Sequence, residues 1–223
     1  MYSKIPYFKA AIFDLDGTIL DSMPYWFTTG ERYLSSLGVK PEKNISKIMQ
    51  SMSLAQGAQY FREKYGIQKT DSQIIQGIKE TISDSYRFEI QPKPFAIDFL
   101  ELIRKSGIPI ALATATDENM FMPAFERLNL RQYFDHILTC SQLNTSKNEP
   151  LIYLSAAKLL KTSVEQTVVF EDAPHAISTA YKAGFKTAGI QDDSAKNQED
   201  EVKQNSTVYF ADYKEAISFF FNQ

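Results

Sequence analysis

The chain is 223 residues long, with 24 Lys+Arg against 27 Asp+Glu and a formal net charge of −3. At 43% hydrophobic and 13% aromatic residues it can bury a real core and does not read as disordered. A single cysteine, Cys140, excludes an internal disulfide, and two histidines, His136 and His175, are too few for a three-histidine, Cys₄ or Cys₂His₂ zinc site.

In chain order, Met1 to Ala11 is short and partly polar, without the apolar run and small-residue cleavage site of a secretory leader. Ala10 to Phe13 predicts a first strand. From about Leu20 to Gln91 the pattern is helical, with stripes at Trp26, Tyr33, Leu34 and Leu37, then Ile45, Ile48, Met49 and Met52, then Ile74, Ile78 and Ile82. Gly38, Pro41 and Gly66 punctuate it. Pro94 is placed to open a helix bearing Ile97, Leu100 and Ile103. Further strands are predicted at Ile108 to Ala113, Ile137 to Thr139, Thr167 to Phe170, Thr187 to Ile190 and Thr207 to Phe210. Helical periods at Phe121, Phe125 and Leu128, and at Ile152, Ala156, Leu159 and Leu160, separate them. Gln191 to Ser206, with two lysines and five acids, predicts a solvated loop.

Near-continuous apolar strands alternating with helices predict an α/β fold with a doubly wound parallel sheet. The helical stretch interrupts that alternation early, so 20–91 is predicted as one domain inserted into another formed by 1–19 and 92–223. No run approaches the ~18 apolar residues of a membrane span, and no basic stripe marks a nucleic-acid surface. The expectation is a soluble cytoplasmic protein with neither membrane nor nucleic acid as partner.

The chemistry concentrates in Ala10-Ala11-Ile12-Phe13-Asp14-Leu15-Asp16-Gly17-Thr18. Asp14 and Asp16 follow the first strand, at the strand end where open α/β sheets bind ligands. Two acids one residue apart can divide the work, one attacking and the other carrying a proton. An ordinary Asp-Gly turn also fits that pair alone.

The string Asp-x-Asp-Gly-Thr after an apolar strand resembles the signature of the haloacid dehalogenase-like hydrolase superfamily, in particular its phosphatase branch. Three further motifs follow in that family's order. Thr114-Ala115-Thr116 matches a phosphate-binding Ser/Thr, Lys147 in Ser146-Lys147-Asn148-Glu149-Pro150 matches a lysine, and Glu171-Asp172 after Val168-Val169-Phe170 matches a magnesium-holding acidic pair. Taken singly, each has a plain alternative: Thr114 or Asp117 as a helix cap, Lys147 as a surface charge, Glu171 and Asp172 as acids favoured at a helix N-terminus.

The resemblance implies a Rossmann-like core with an inserted α-helical cap domain, and a Mg²⁺-dependent phosphatase acting on a small phosphorylated metabolite. It implies Asp14 as the nucleophile that becomes an aspartyl-phosphate and Asp16 as general acid and base. Thr114 and the Ala115 amide would bind phosphate, and Lys147 would bridge nucleophile and phosphate. Asp14, the Asp16 carbonyl and Asp172 would ligate Mg²⁺, with Glu171 a further member of the set. The charges suit this: with Asp16 protonated, Asp14, Glu171 and Asp172 oppose Mg²⁺ and Lys147, leaving the empty site near neutral.

Several departures bear on activity. The family often carries Lys-Pro-x-Pro-Asp where this chain has Lys147-Asn148-Glu149-Pro150-Leu151, and often Ser where it has Ala173. His175 is expected to be exposed in a first helical turn, with a substrate contact as the alternative. Trp26 stands where the similar β-phosphoglucomutases have a cap-hinge histidine, and Lys47 is the one basic residue between Asn44 and Gln59. Both departures favour hydrolysis over a sugar phosphomutase. A dehalogenase would not need the second aspartate and acidic pair, and an idle phosphate-binding module would not need to keep every reactive side chain. Tyr25, Trp26, Phe27, Met49 and Met52 are read as core packing or as the lining of an apolar specificity pocket.

Overall fold

The computed structural model describes residues 8–49 and 52–221. Met1 to Tyr7, on which the leader-free reading of the N-terminus rests, lie outside the described residues, as do Gln50 and Ser51 within the second helical stripe. Contacts divide the chain into two compact units, 1–21 with 91–223 and 22–90. Among the described residues no helix is long and apolar enough to cross a membrane.

The first unit is built on six parallel strands: β1 (Ala10–Phe13), β2 (Ile110–Thr114), β3 (His136–Thr139), β4 (Thr167–Glu171), β5 (Lys186–Ile190) and β6 (Val208–Phe210). Their order across the sheet is β3-β2-β1-β4-β5-β6. The chain therefore builds outward from β1 on one side, then returns to add β4, β5 and β6 on the other. This reversal makes the carboxyl ends of β1, β2 and β4 neighbours, the place where such sheets bind ligands. Phe13 lies in register with Leu112 on one side and Phe170 on the other.

Alternation along the strands sends successive side chains to opposite faces. Phe13 and Phe170 stack at a centroid distance of 4.3 Å on the face covered by α5 (Ala96–Lys105) and α10 (Tyr213–Phe221), where Phe99 meets both rings edge-on and Phe220 meets Phe170 edge-on. On the other face Ile12 and Val169 join Ile152, Tyr153 and Ala156 of α7 (Leu151–Leu159) and Ala180 of α8 (Pro174–Lys182). Between β2 and β3 lies α6 (Glu118–Arg127).

Three details of the sequence reading change. Gln191 to Ser206 is not a loop: a 3₁₀ turn over Asp193–Gln198 leads into α9 (Glu199–Gln204). Asp192 caps the turn by accepting from the Ser194 N–H at 2.9 Å, and Glu199, Asp200 and Glu201 fill the first turn of α9, where the helix dipole favours acids. Val202 and Ala195 are buried, so sparse apolar positions suffice to dock a charged segment. Pro94 does not open the next helix, because Phe95 adopts a left-handed backbone (φ 64°) and α5 begins at Ala96. β2 starts at Ile110 rather than Ile108, since Pro109 has no N–H to give to the ladder and contributes its carbonyl to the Ala11 N–H.

The second unit is helical: α1 (Met23–Ser36), α2 (Ile45–Met49), α3 (Leu54–Tyr65) and α4 (Asp71–Phe88). Met52 falls beyond the end of α2. α3 lacked a stripe in the sequence reading; Ser53 and Gln56 form a capping box at its start, as Thr70 and Gln73 do for α4. Tyr33, Leu34, Ile45, Phe61, Ile74 and Ile78 make its core.

Met49 packs against that core, Phe27 is exposed, and the half-buried Trp26 donates its indole N–H to the Tyr86 hydroxyl at 3.0 Å.

Gly77 in α4 admits the buried Tyr33 ring so closely that an added Cβ would lie 2.3 Å from Cε2 and 3.0 Å from Cζ. Gly77→Ala is therefore expected to destabilise the protein by about 1–3 kcal/mol. Helix propensity alone would predict a gain of about 1 kcal/mol. Chemical denaturation reads the sign, and a stabilised variant would refute this packing.

Candidate active site

β1 delivers Asp14 one residue past its end, where the Asp14 N–H donates to the Phe170 carbonyl of β4 at 3.0 Å. The chain then turns tightly: Ile19 and Leu20 both donate to the Leu15 carbonyl, and Gly17 takes φ 82°, a left-handed backbone that costs glycine nothing. β4 ends on Glu171, so Glu171 and Asp172 emerge beside Asp14.

One ligand oxygen from each of Asp14, Glu171 and Asp172 lies within 4.8 Å of the others. These side chains are almost wholly shielded from solvent: Asp14 is 5% exposed, Glu171 0% and Asp172 3%. Lys147, 6% exposed, donates to both Asp14 Oδ1 and Glu171 Oε1. It is thus no solvated surface charge.

Three buried carboxylates face one ammonium, and the titration behaviour follows. Burial, then the charge of Glu171, raises Asp14 from 3.8 to about 6 although Lys147 opposes this. Asp172 is pushed well above the usual carboxylate range by burial, then by Asp14, Glu171 and Asp192. For Lys147 burial favours the neutral amine, but the two carboxylates outweigh it and hold the group above the usual lysine range.

Glu171 is fully engaged. Its Oε1 also accepts from the Tyr153 hydroxyl at 2.8 Å, and its Oε2 accepts from the Ala173 N–H at 3.4 Å. Asp172 accepts from Thr18 Oγ1 at 2.9 Å, while the Thr18 carbonyl accepts from the Tyr213 hydroxyl at 3.2 Å.

Thr114 ends β2 and is buried. It does not cap α6, which begins at Glu118; instead its Oγ1 accepts from the Thr116 N–H at 3.0 Å. Asp117 holds the N-cap position without a side-chain capping bond, and Ala115 is exposed on the loop between. Asp16 is half-buried and its carboxylate turns to Thr116 Oγ1, at 2.6 Å. His175 is exposed in the first turn of α8, with its imidazole shifted down by burial and then by the charge of Lys147.

The structure thus gathers Asp14, Lys147, Glu171 and Asp172 into one cluster, with Asp16 on the turn after β1 and Thr114 at the end of β2. Sequence reasoning had assigned no role to Thr18, Thr116, Tyr153 or Tyr213. Thr18 and Thr116 lay inside quoted motifs, but nothing local pointed to either tyrosine.

The cluster's chemistry suits a hard divalent cation. All its acceptors are carboxylate oxygens, their negative charge exceeds what Lys147 supplies, and two of the acids are held above their usual range by burial and then by their carboxylate neighbours.

The chain is 26% identical over 178 residues to a phosphorylated carbohydrates phosphatase of Thermotoga maritima, covering 80% of this chain and 82% of that protein. It is 28% identical over 207 residues to the phosphoglycolate phosphatase of Neisseria meningitidis, covering 85% of this chain and 83% of that one. A β-phosphoglucomutase structure from Clostridium difficile shares the fold, with a TM-score of 0.67 at 18% identity, over 93% of this chain and 92% of its own. With residues 11–190 matching the family's sequence model, a span that takes in every member of the acid cluster, the chain belongs to the haloacid dehalogenase-like hydrolases.

Proposed function

We propose that the protein is a Mg²⁺-dependent phosphatase that hydrolyses a small phosphorylated metabolite through an aspartyl-phosphate on Asp14. The observation that carries this reading is the buried Asp14–Glu171–Asp172 cluster with Lys147 set on Asp14. Membership of a hydrolase family, together with similarity to a phosphorylated carbohydrates phosphatase and a phosphoglycolate phosphatase, supports it.

Asp14 and Asp172, with the Asp16 carbonyl, would hold Mg²⁺, with Glu171 a further member of the set that also engages Lys147, Tyr153 and the Ala173 amide. Bound there, the cation supplies positive charge that offsets the repulsion between a carboxylate nucleophile and a phosphate dianion. Asp14 attacks phosphorus. Asp16 gives a proton to the departing oxygen and later takes one from water. Thr114 and the Ala115 amide bind phosphoryl oxygens, and Lys147 neutralises charge shared between Asp14 and the phosphoryl group.

We read 20–91 as a cap domain inserted into a catalytic domain of 1–19 and 92–223; the two compact units of the chain support that division. Its single, buried cysteine supports a cytoplasmic setting.

Phosphate release from p-nitrophenyl phosphate, phosphoglycolate and a panel of sugar phosphates tests the reading. Release is expected with Mg²⁺ and to vanish in chelator. Isomerised sugar phosphate in excess of free phosphate would replace the phosphatase with a mutase.

Mg²⁺ at about a hundred times its dissociation constant is expected to stabilise the protein by about 2.7 kcal/mol, or roughly 5–10 °C in Tm. The shift should be smaller at pH 5 than at pH 7, because Asp14, raised to about 6, holds a proton at the lower pH that the cation must displace. A Tm indifferent to Mg²⁺ at pH 7 would remove the metal from the account.

A further inference from the structure

The half-buried carboxylate of Asp16 has a partner that the chemistry above leaves without a role. Thr116 Oγ1 donates to Asp16 Oδ2 at 2.6 Å, across 100 residues of chain. The contact follows from the sheet: β1 and β2 are adjacent and parallel, with Phe13 opposite Leu112, so the loops leaving their carboxyl ends run side by side. Thr116 is itself nearly buried and tied back, since its N–H donates to Thr114 Oγ1 at 3.0 Å. Its hydroxyl is therefore fixed relative to the phosphate-binding loop.

We propose that Thr116 is the positioning residue for proton transfer by Asp16, an inference that rests on the phosphatase reading. A carboxyl group turns about its last bond in a broad, shallow well. A short hydrogen bond to one oxygen narrows that rotation and offers the proton in one direction.

In the first half-reaction an Asp14 oxygen bonds to phosphorus. The bond from phosphorus to the leaving oxygen breaks with its electron pair, and the proton of Asp16 passes to that oxygen. In the second, a water oxygen bonds to phosphorus, its proton returns to Asp16, and the bond to Asp14 breaks to restore the carboxylate. Misplacing the Asp16 proton harms the first half-reaction in proportion to the basicity of the leaving oxygen. An alkoxide needs the proton, whereas p-nitrophenolate departs without it.

The test compares kcat/KM for β-glycerophosphate and p-nitrophenyl phosphate in the wild type, Thr116→Val and Thr116→Ser, all with Mg²⁺. This parameter covers the steps through departure of the alcohol and leaves out the hydrolytic half that both substrates share. Thr116→Val is expected to lose about 10–30-fold on β-glycerophosphate and no more than about 3-fold on p-nitrophenyl phosphate. Thr116→Ser, which keeps the hydroxyl, should stay within about 3-fold of wild type on both. A packing defect would lower both substrates alike. Equal losses on the two, or a Thr116→Val enzyme with full activity on β-glycerophosphate, would overturn the positioning role while leaving the phosphatase reading intact. A wild type inactive on both would overturn that reading and this inference with it. Should Thr116→Val lose its cooperative melt, Thr116→Ala takes its place in the same comparison.

Discussion

Asp14→Asn is expected to lower phosphate release by about a thousandfold or more and, in chelator at pH 7, to make the protein harder to unfold. The first effect follows from removing the attacking oxygen in a mechanism that has no second nucleophile. The second follows from the burial of Asp14 beside another carboxylate. Burial, followed by Glu171, raises Asp14 from 3.8 to about 6 in the folded protein. A carboxyl group raised on folding contributes stability below its unfolded value, and that contribution is lost as pH rises through the folded value. At pH 7 the ionised group is thus a net cost, and asparagine removes the charge at almost constant shape. The gain is of the order of 1–3 kcal/mol at pH 7 and should fade between about pH 6 and pH 4. Thermal denaturation in chelator at both pH values, with phosphate release beside it, checks the pair of effects. An active Asp14→Asn protein would end the nucleophile assignment, and a wild type more stable than the variant at pH 7 would end this account of the buried charge.

Lys147→Met acts on the same contact with the opposite sign. The ammonium touches both Asp14 and Glu171 and is 6% exposed. Removing one partner of a buried ion pair strands the other, typically costing about 3–5 kcal/mol. Here two carboxylates would be stranded. For a chain of this size a loss of that magnitude lowers Tm by about 10 °C. Added Mg²⁺ should restore part of it, since the cation answers the same charge. Activity should fall about 10²–10³-fold even where the protein remains folded, because charge on the phosphoryl group goes unneutralised. Opposite stability changes from Asp14→Asn and Lys147→Met are the signature of a cluster with too many acids for its one lysine. Equal destabilisation by both would mean that the pair is an ordinary stabilising salt bridge.

Much of the fold was legible because its signals are local. Near-continuous apolar runs such as Val168 to Phe170 mark strands covered on both faces, and all six predicted strands are present, with ends moved by a residue or two. Failures came where a local pattern was faint. The 3₁₀ turn and α9 are held by two buried apolar residues, Ala195 and Val202, in a segment otherwise polar enough to read as a loop.

By itself the sequence determined which side chains end which strands: Asp14 and Asp16 after β1, Thr114 on β2, Glu171 and Asp172 at β4. Covalent order fixes that, because strand ends and turns are set by neighbours within a few residues. Tertiary structure decided who meets whom. Placing β1 between β2 and β4 brings Thr116 to Asp16 across 100 residues and Thr18 to Asp172 across 154. It also packs Tyr153 against Glu171 from a helix on one face and carries Tyr213, from a helix on the other, to the Thr18 carbonyl. No periodicity encodes such contacts, since each depends on strand order and on which helix covers which face. The excess of charge in the cluster is likewise a property of burial: an acid costs little in water and a great deal beside two others in a dry interior.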